Sequence, residues 1–392
     1  MRKGAVTSTG SMVGLFAGIG GLELGLREHG WNTELLCEID PGAQAVLRTQ
    51  FTDVPVHSDV TKLRSLPRDI ELVAAGFPCQ DLSQAGRTAG ITGSRSGLVD
   101  EVFRLVKRKK GPRWLLIENV PFMLQLGRGA AMRHITDALE DLGYTWAYRV
   151  VDARAFGLPQ RRQRVLMLAS RTEDPRAVLF GEDAGERPVD DHADFPCGFY
   201  WTEGTRGLGW AVNAVPTLKG GSSVGIASPP AVRLPSGEIV TPGLVDAERL
   251  QGFDPDWTAP AALVPGLRNS HRWKLVGNAV SVRMASWVGR RLLEPADYER
   301  GFETPMKPGD AWPVAAWGSN RQAFRVHTST WPVQEPYEDL SGFLEDTRLL
   351  SARATAGFLK RARMGNLRFV PGFIDDVESH LDRMGGFPEA AA

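Results

Sequence analysis

The chain has 392 residues, 42% of them hydrophobic and 23% charged, which at about 150 residues per domain gives two to three domains. That balance excludes a disordered, collagenous or coiled-coil chain. Lys plus Arg and Asp plus Glu number 46 each, which excludes a generic polycation but not a nucleic-acid enzyme, because local patches steer DNA. Three cysteines (Cys37, Cys79 and Cys197) leave an odd one and show no metal-ligand spacing. A disulfide framework and a metal are therefore not expected, and a reducing, cytoplasmic setting is. The basic start at Met1, Arg2 and Lys3 precedes an apolar stretch, but five glycines before Leu26, with Glu23, break it as a signal peptide. No stretch reaches the 18 or so apolar residues of a membrane span.

Taken in order, residues 13–16 read as a strand ending in glycines and 22–28 as the helix that follows. Residues 34–38, 72–75, 114–117 and 164–168 read as further strands, with helical patterns at 101–107 and 131–142 between them. Strands alternating with helices predict an α/β fold with a doubly wound, mostly parallel sheet. The texture changes after Ser170. Residues 195–237 hold eight glycines and few charges, which predicts a small β- and loop-rich insert. Residues 283–293 read as a helix returning to the first domain. The tail opens with Pro and Trp, then shows amphipathic patterns at 340–350 and 373–384. Five basic residues and no acid lie within 351–374, which suggests a helical accessory element touching flanking DNA or a defence-system partner; a covering on the catalytic domain is the alternative.

Phe16, Gly18, Ile19, Gly20 and Gly21 form a glycine turn from strand to helix, where the backbone can approach a ligand and helix N–H groups are free. Glu38 ends the second strand, where a carboxylate accepts ribose hydroxyls. Asp59 is placed to accept from an adenine amino group, so a nucleoside-containing cofactor is expected. Cys79 follows Gly76 and Pro78 at the mouth of an apolar strand. Residues 81–97 carry Arg87 and Arg95 with one acid, a composition suited to a lid over something anionic. Glu118 ends the next strand, on the same sheet edge. Alternation puts Arg162 and Arg164 on one face of an extended segment, which would make that pocket cationic. GNAV at 277–280 opens the late helix and closes the cofactor site.

In order, FAGIGG, EID, DV, GFPCQ, ENV, QRRQR, ERLQGF and GNAV resemble the motif series of the DNA cytosine-5 methyltransferases of bacterial restriction–modification or defence systems. The resemblance covers 13–293. Two positions depart: Gly14 stands where the strand often carries an acid or serine, and Lys274-Leu275 replaces the usual Gln before GNAV. The resemblance implies a class I S-adenosylmethionine-dependent methyltransferase fold with a target-recognition region and a helical C-terminal extension. Its expected divisions are 11–190 and 246–297 for the catalytic domain, 191–245 for target recognition and 298–392 for the extension.

It further implies S-adenosylmethionine as methyl donor, with S-adenosylhomocysteine as product. The cofactor would be held by Phe16, Gly18, Ile19, Gly20, Gly21, Glu38, Ile39, Asp59, Val60, Gly76, Pro78, Asn278 and Val280. The Cys79 thiolate would attack carbon 6 of a flipped-out cytosine while Glu118 holds or protonates ring nitrogen 3. Asn119 would shape the loop, and Arg162 and Arg164 would bind the ring oxygen and support Glu118. Gln80, Ser83, Arg87, Arg95, Arg206, Thr217, Lys219 and Arg233 are expected at the DNA, as are Trp201 and Trp210. The implied partners are duplex DNA and a cognate restriction endonuclease or defence-system proteins. No membrane is expected, and one chain holding every motif points to a monomer. Methylation of RNA cytosine and a catalytically silent DNA-binding component are the alternative functions; the insert lacks the Cys-Phe-Thr element of the tRNA-modifying branch, and a silent binder needs no nucleophile.

Overall fold

The computed structural model describes residues 10–78, 97–108, 111–205, 207–220 and 229–385. The first part of the chain runs β1 (Gly10–Leu15), α1 (Gly21–Arg27), β2 (Trp31–Cys37), α2 (Pro41–Gln50), β3 (Val56–His57), β4 (Leu72–Ala75), α3 (Leu98–Val106), β5 (Trp114–Asn119), α4 (Ala130–Asp141), β6 (Thr145–Asp152), β7 (Gln160–Arg161), β8 (Gln163–Ser170) and α5 (Pro175–Leu179). The apolar runs LVAA and WLLI become strands buried on both faces, as crossover helices require. They belong to a parallel core ordered β3-β2-β1-β4-β5, in which β5 is the last parallel strand. β8 then inserts antiparallel between β5 and β6. From β1 the chain first builds outward through β2 and β3, then returns to build through β4 and β5 on the other side. That reversal opens a crevice at the strand C-terminal ends, where ligands bind in open α/β sheets.

The insert follows as β9 (Cys197–Phe199), β10 (Ala211–Val212), β11 (Val215–Pro216), β12 (Ala231–Arg233) and β13 (Ile239–Pro242). The chain then returns through α6 (Leu244–Leu250), α7 (Asn269–Asn278) and α8 (Val282–Leu293). Gly25 in α1 lets α8 approach closely, because a Cβ there would run into the Val282 carbonyl and Ala285.

The tail is not purely helical. It forms β14 (Glu303–Pro305), β15 (Ala315–Ser319), β16 (Gln322–Val326), β17 (Thr347–Leu349), α9 (Ala352–Met364) and α10 (Phe373–Arg383). β15 pairs antiparallel with β6, and β16 and β14 follow, so the tail widens the main sheet to ten strands. The amphipathic stretch at 340–350 is a short turn of helix, Leu340–Phe343, followed by β17 rather than one helix. β17 joins a second, antiparallel sheet ordered β10-β9-β12-β13-β17. α9 and α10 cover that sheet: Phe199, Ala231 and Ile239 pack with Phe358, Leu359, Phe373 and Val377 in one core. The fold is thus α/β with a large sheet around a parallel core and a separate antiparallel sheet, with the parallel strands confined to one half of the large one. Among the described residues no helix is long and apolar enough to cross a membrane.

Candidate active site

Strand register sets the site. Cys37, Leu15, Ala75 and Ile117 stand side by side across β2, β1, β4 and β5. The next residue of each strand, Glu38, Phe16, Gly76 and Glu118, therefore emerges into one crevice.

On the cofactor side, Phe16 and Gly18 both adopt left-handed backbone, with φ of 56° each. Among the described residues nothing lies within 4 Å of where a Cβ on Gly18 would be, which leaves a cradle over the turn. Gly18 N–H donates to Glu38 Oε2 and Asp40 N–H to Oε1, each at 2.8 Å, so Glu38 ties the turn after β1 to the turn after β2. Burial pushes its carboxyl above the usual range. Ile39, beside it, is 70% exposed, an apolar surface facing outward at the same rim. Gly21 starts α1 hard against the 277–280 loop, since a Cβ there would run into the Val280 carbonyl oxygen. Gly20 and Ile19 pack inward, Gly20 against Phe51. Asp59 caps the turn after β3, accepting from Thr61 N–H and Oγ, and these bonds hold its carboxyl below the ordinary value. Val60 behind it is buried.

On the catalytic side, Glu118 is buried and its Oε1 pairs with Arg164 Nε at 2.8 Å. Loss of solvent raises its pKa, against the pull of Arg164 and Arg162. A Cβ on Gly76 would lie 3.6 Å from Glu118 Oε2 and 3.8 Å from the Phe16 carbonyl, so the three residues line one space. Asn119 Nδ2 donates to the Phe77 carbonyl at 3.0 Å and its Oδ1 accepts from Val120 N–H, which fixes the segment that ends at Pro78. Cys79, Gln80, Ser83, Arg87, Arg95 and Arg206 lie outside the described residues. Cys37 and Cys197 are buried, which pushes their thiols up to about 12 and about 11 and makes both inert near neutral pH.

The two arginines of QRRQR part company. Arg164 reaches Glu118, whereas Arg162 turns to the backbone, donating to the carbonyls of Leu218, Gly277 and Ala279 at 3.3, 3.2 and 2.6 Å. Simple alternation does not apply, because residue 162 is a break between β7 and β8. Arg162 therefore joins the insert to the GNAV loop through its hydrogen bonds and acts on Glu118 through its charge alone. Two buried glutamines complete that junction. Gln160 bonds Leu250, Gln251 and Leu218, and Gln251 bonds Val276 and Ser281. Asp40, which caps α2 and pairs with His271 at 2.8 Å, does the same on the cofactor side. Their signal in the sequence was the glutamines in QRRQR and ERLQGF and the acid in EID, but roles that bind one loop to another need the loops' partners.

Of the residues expected at DNA, Thr217 donates its hydroxyl to the Arg161 carbonyl, and exposed Lys219 pairs with Glu203 at 2.6 Å over the Tyr200 ring. Trp201 and Trp210 are half-buried, and Trp210 packs on Phe373. Arg233 is engaged by Asp376 of α10 at 2.8 Å and by the His192 carbonyl, with its side chain 16% exposed.

The pattern of the C-5 cytosine-specific DNA methylase family matches residues 10–191, which span every strand of the parallel core. The chain is also 51% identical over 385 residues to the type II methyltransferase M2.BsuMI of Bacillus subtilis (strain 168), covering 95% of this chain and 98% of that one. This chain belongs to the C-5 cytosine-specific DNA methylase family. The methylase is thus a DNA (cytosine-5-)-methyltransferase of the type II restriction–modification kind, and the family implies dependence on S-adenosylmethionine. It is 34% identical to M.MspI of Moraxella sp over 193 residues, 47% of this chain and 46% of that one. Its fold is similar to the S. pombe Dnmt2 methyltransferase, with a TM-score of 0.52 and 17% identity over 73% of this chain and 98% of that one. The Entamoeba histolytica methyltransferase EhMeth matches alike, with a TM-score of 0.53 and 14% identity over 74% and 99%.

Proposed function

We propose that the methylase acts on a cytosine flipped out of duplex DNA through a covalent Cys79 adduct, with Glu118 as the acid at ring nitrogen 3. The observation that carries this reading is the buried Glu118–Arg164 pair, at the end of β5, beside the Gly76 loop whose chain continues into Cys79. Cys37 and Cys197 are buried thiols, so Cys79 is the cysteine left for nucleophilic work. Carbon 5 of cytosine is a weak nucleophile until carbon 6 is attacked. Cys79 adds there as thiolate, and Glu118 hydrogen-bonds or protonates nitrogen 3, drawing off the charge pushed into the ring. A carboxyl with a raised pKa suits that task near neutral pH, and Arg164 holds it in place. Asn119 fixes the Phe77 carbonyl and with it the entry to the nucleophile.

The open cradle above Gly18, the Glu38 carboxylate and exposed Ile39 fit S-adenosylmethionine, which when bound supplies an electrophilic methyl group for carbon 5. Gly21 and the Val280 carbonyl close that side, and Asp59 retains a free lone pair for an adenine amino group. Loss of the carbon-5 proton then lets Cys79 leave by elimination. Thr217 and Lys219, next to QRRQR and Asn278, are the insert residues best placed to meet the duplex, with residues 81–97 as the lid. The biological role that fits is protection of self DNA from a cognate nuclease, with the enzyme acting as a monomer in the cytoplasm. A Cys79→Ser variant tests the nucleophile: it should bind duplex DNA as tightly as wild type and transfer no methyl group, and transfer at a wild-type rate would overturn the assignment.

A further inference from the structure

We infer that the tail completes the DNA-recognition surface, with Lys360 and Arg368 contacting phosphates that flank the target. The inference rests on the reading of the insert as the DNA-facing element. β17 adds a fifth strand to the insert's sheet, and α9 crosses that sheet from the β17 side toward the loop after β9. There its C-terminal turn is fixed to the insert: Arg361 Nε donates to the Glu203 carbonyl at 3.1 Å and its terminal nitrogen to the Trp201 carbonyl at 2.7 Å. Gly365 follows so closely that a Cβ would sit 2.8 Å from the Gly204 carbonyl.

Glu203 also holds Lys219, and a Cβ on Gly220, the next residue, would lie 3.1 Å from Asn278 Oδ1. A continuous rim thus runs from the 277–278 loop through Lys219 and Glu203 to the end of α9. Between Ser351 and Ile374 there are five basic residues and no acid. Arg361 is spent on the carbonyls and Arg363 on Glu378. Lys360 and Arg368 are exposed and form no ion pair among the described residues. Two exposed cations, one in the last turns of α9 and one on the segment that follows it, match a phosphate backbone, which rewards each cation through counterion release. Arg353 is also exposed and has no ion pair among the described residues, but it lies at the other end of α9, about 10 Å from Lys360 along the axis. It serves as a control.

The test uses the full chain and mixed-sequence duplex DNA, in equilibrium binding and in transfer of labelled methyl from S-adenosylmethionine across a salt series. The K360A/R368A double variant should bind about tenfold more weakly and raise KM for DNA alike, with kcat unchanged. Its slope of log affinity against log salt should fall by about two, close to 0.9 per phosphate contact, while R353A matches wild type. A double variant with wild-type affinity and slope overturns the inference, as does a loss that R353A shares. Because binding is read apart from transfer, wild type that transfers no methyl yet loses binding in the double variant would sink the catalytic reading and leave this one standing.

Discussion

Glu118 owes its chemistry to its surroundings. Burial favours the protonated form, and the Arg164 partner at 2.8 Å limits the shift while fixing the carboxyl in one orientation. If the protonated form is the active one, kcat/KM for DNA falls as pH rises through the raised folded pKa of Glu118. Glu118→Gln should lower kcat by about 100-fold or more and remove that limb of the profile, the usual range for a lost acid. A Gln variant with a wild-type rate would exclude Glu118 as the acid. Glu23 is a second buried carboxyl, on α1, and its carboxyl occupies the space where a Cβ on Gly14 would be. Among the described residues neither oxygen has a hydrogen-bond partner beyond Glu23's own backbone, and burial raises the pKa to about 8. The folded state then holds a proton that the unfolded chain releases near 4.5, so this group's stability contribution is present at low pH. It is lost as pH rises toward about 8, by a few kcal/mol in all. Glu23→Gln should flatten the fall in Tm between pH 5 and 8; an unchanged slope would refute the protonated assignment.

At the scale of elements, the glycine turn, α1 and the 277–280 loop form one unit. Gly21→Ala should destabilise the fold by about 1–3 kcal/mol, the range for forcing an extra methyl into a packed site. It should also raise KM for S-adenosylmethionine more than KM for DNA, because the Val280 carbonyl must move away from the cofactor side. Equal effects on both would argue that the loop serves only packing. The elements that were readable in the sequence are the ones whose signal is local. The apolar runs of β4 and β5, bounded by glycines or polar residues, announce buried parallel strands, and FAGIGG announces the strand-to-helix turn. β6 was not read, although its eight residues are almost wholly buried, and neither were β14 to β16. Their identity depends on pairing across the chain: β15 meets β6 about 170 residues earlier, and strands of three to five residues are too short to carry a period of their own. The same limit applies to Arg162. Its residue type and spacing matched Arg164, but its direction was set by carbonyls from the insert and the GNAV loop.

Across the whole molecule, the tail is divided between two sheets. Its first strands cover the β6 edge of the large sheet, and its last strand and helices form half of the small domain's core. Removing residues 298–392 would expose the β6 edge, Phe199 and Ile239, a recipe for aggregation rather than for a smaller enzyme. Such a truncation should be insoluble or unfold at markedly lower temperature; a soluble variant with wild-type Tm would contradict the shared core. The site itself needs three distant parts of the chain: strand ends 16–118, QRRQR, and the 277–280 loop, joined by Gln160, Arg162 and Gln251. In the proposed mechanism this assembly methylates cytosine through Cys79. The most direct measurement is transfer of labelled methyl from S-adenosylmethionine to mixed-sequence duplex DNA by wild type and Cys79→Ala, with the modified cytosines mapped. Label at carbon 5 of cytosines in one short sequence, absent with Cys79→Ala, is the predicted result. Label that persists in the Cys79→Ala variant, or that appears only in RNA, would contradict it.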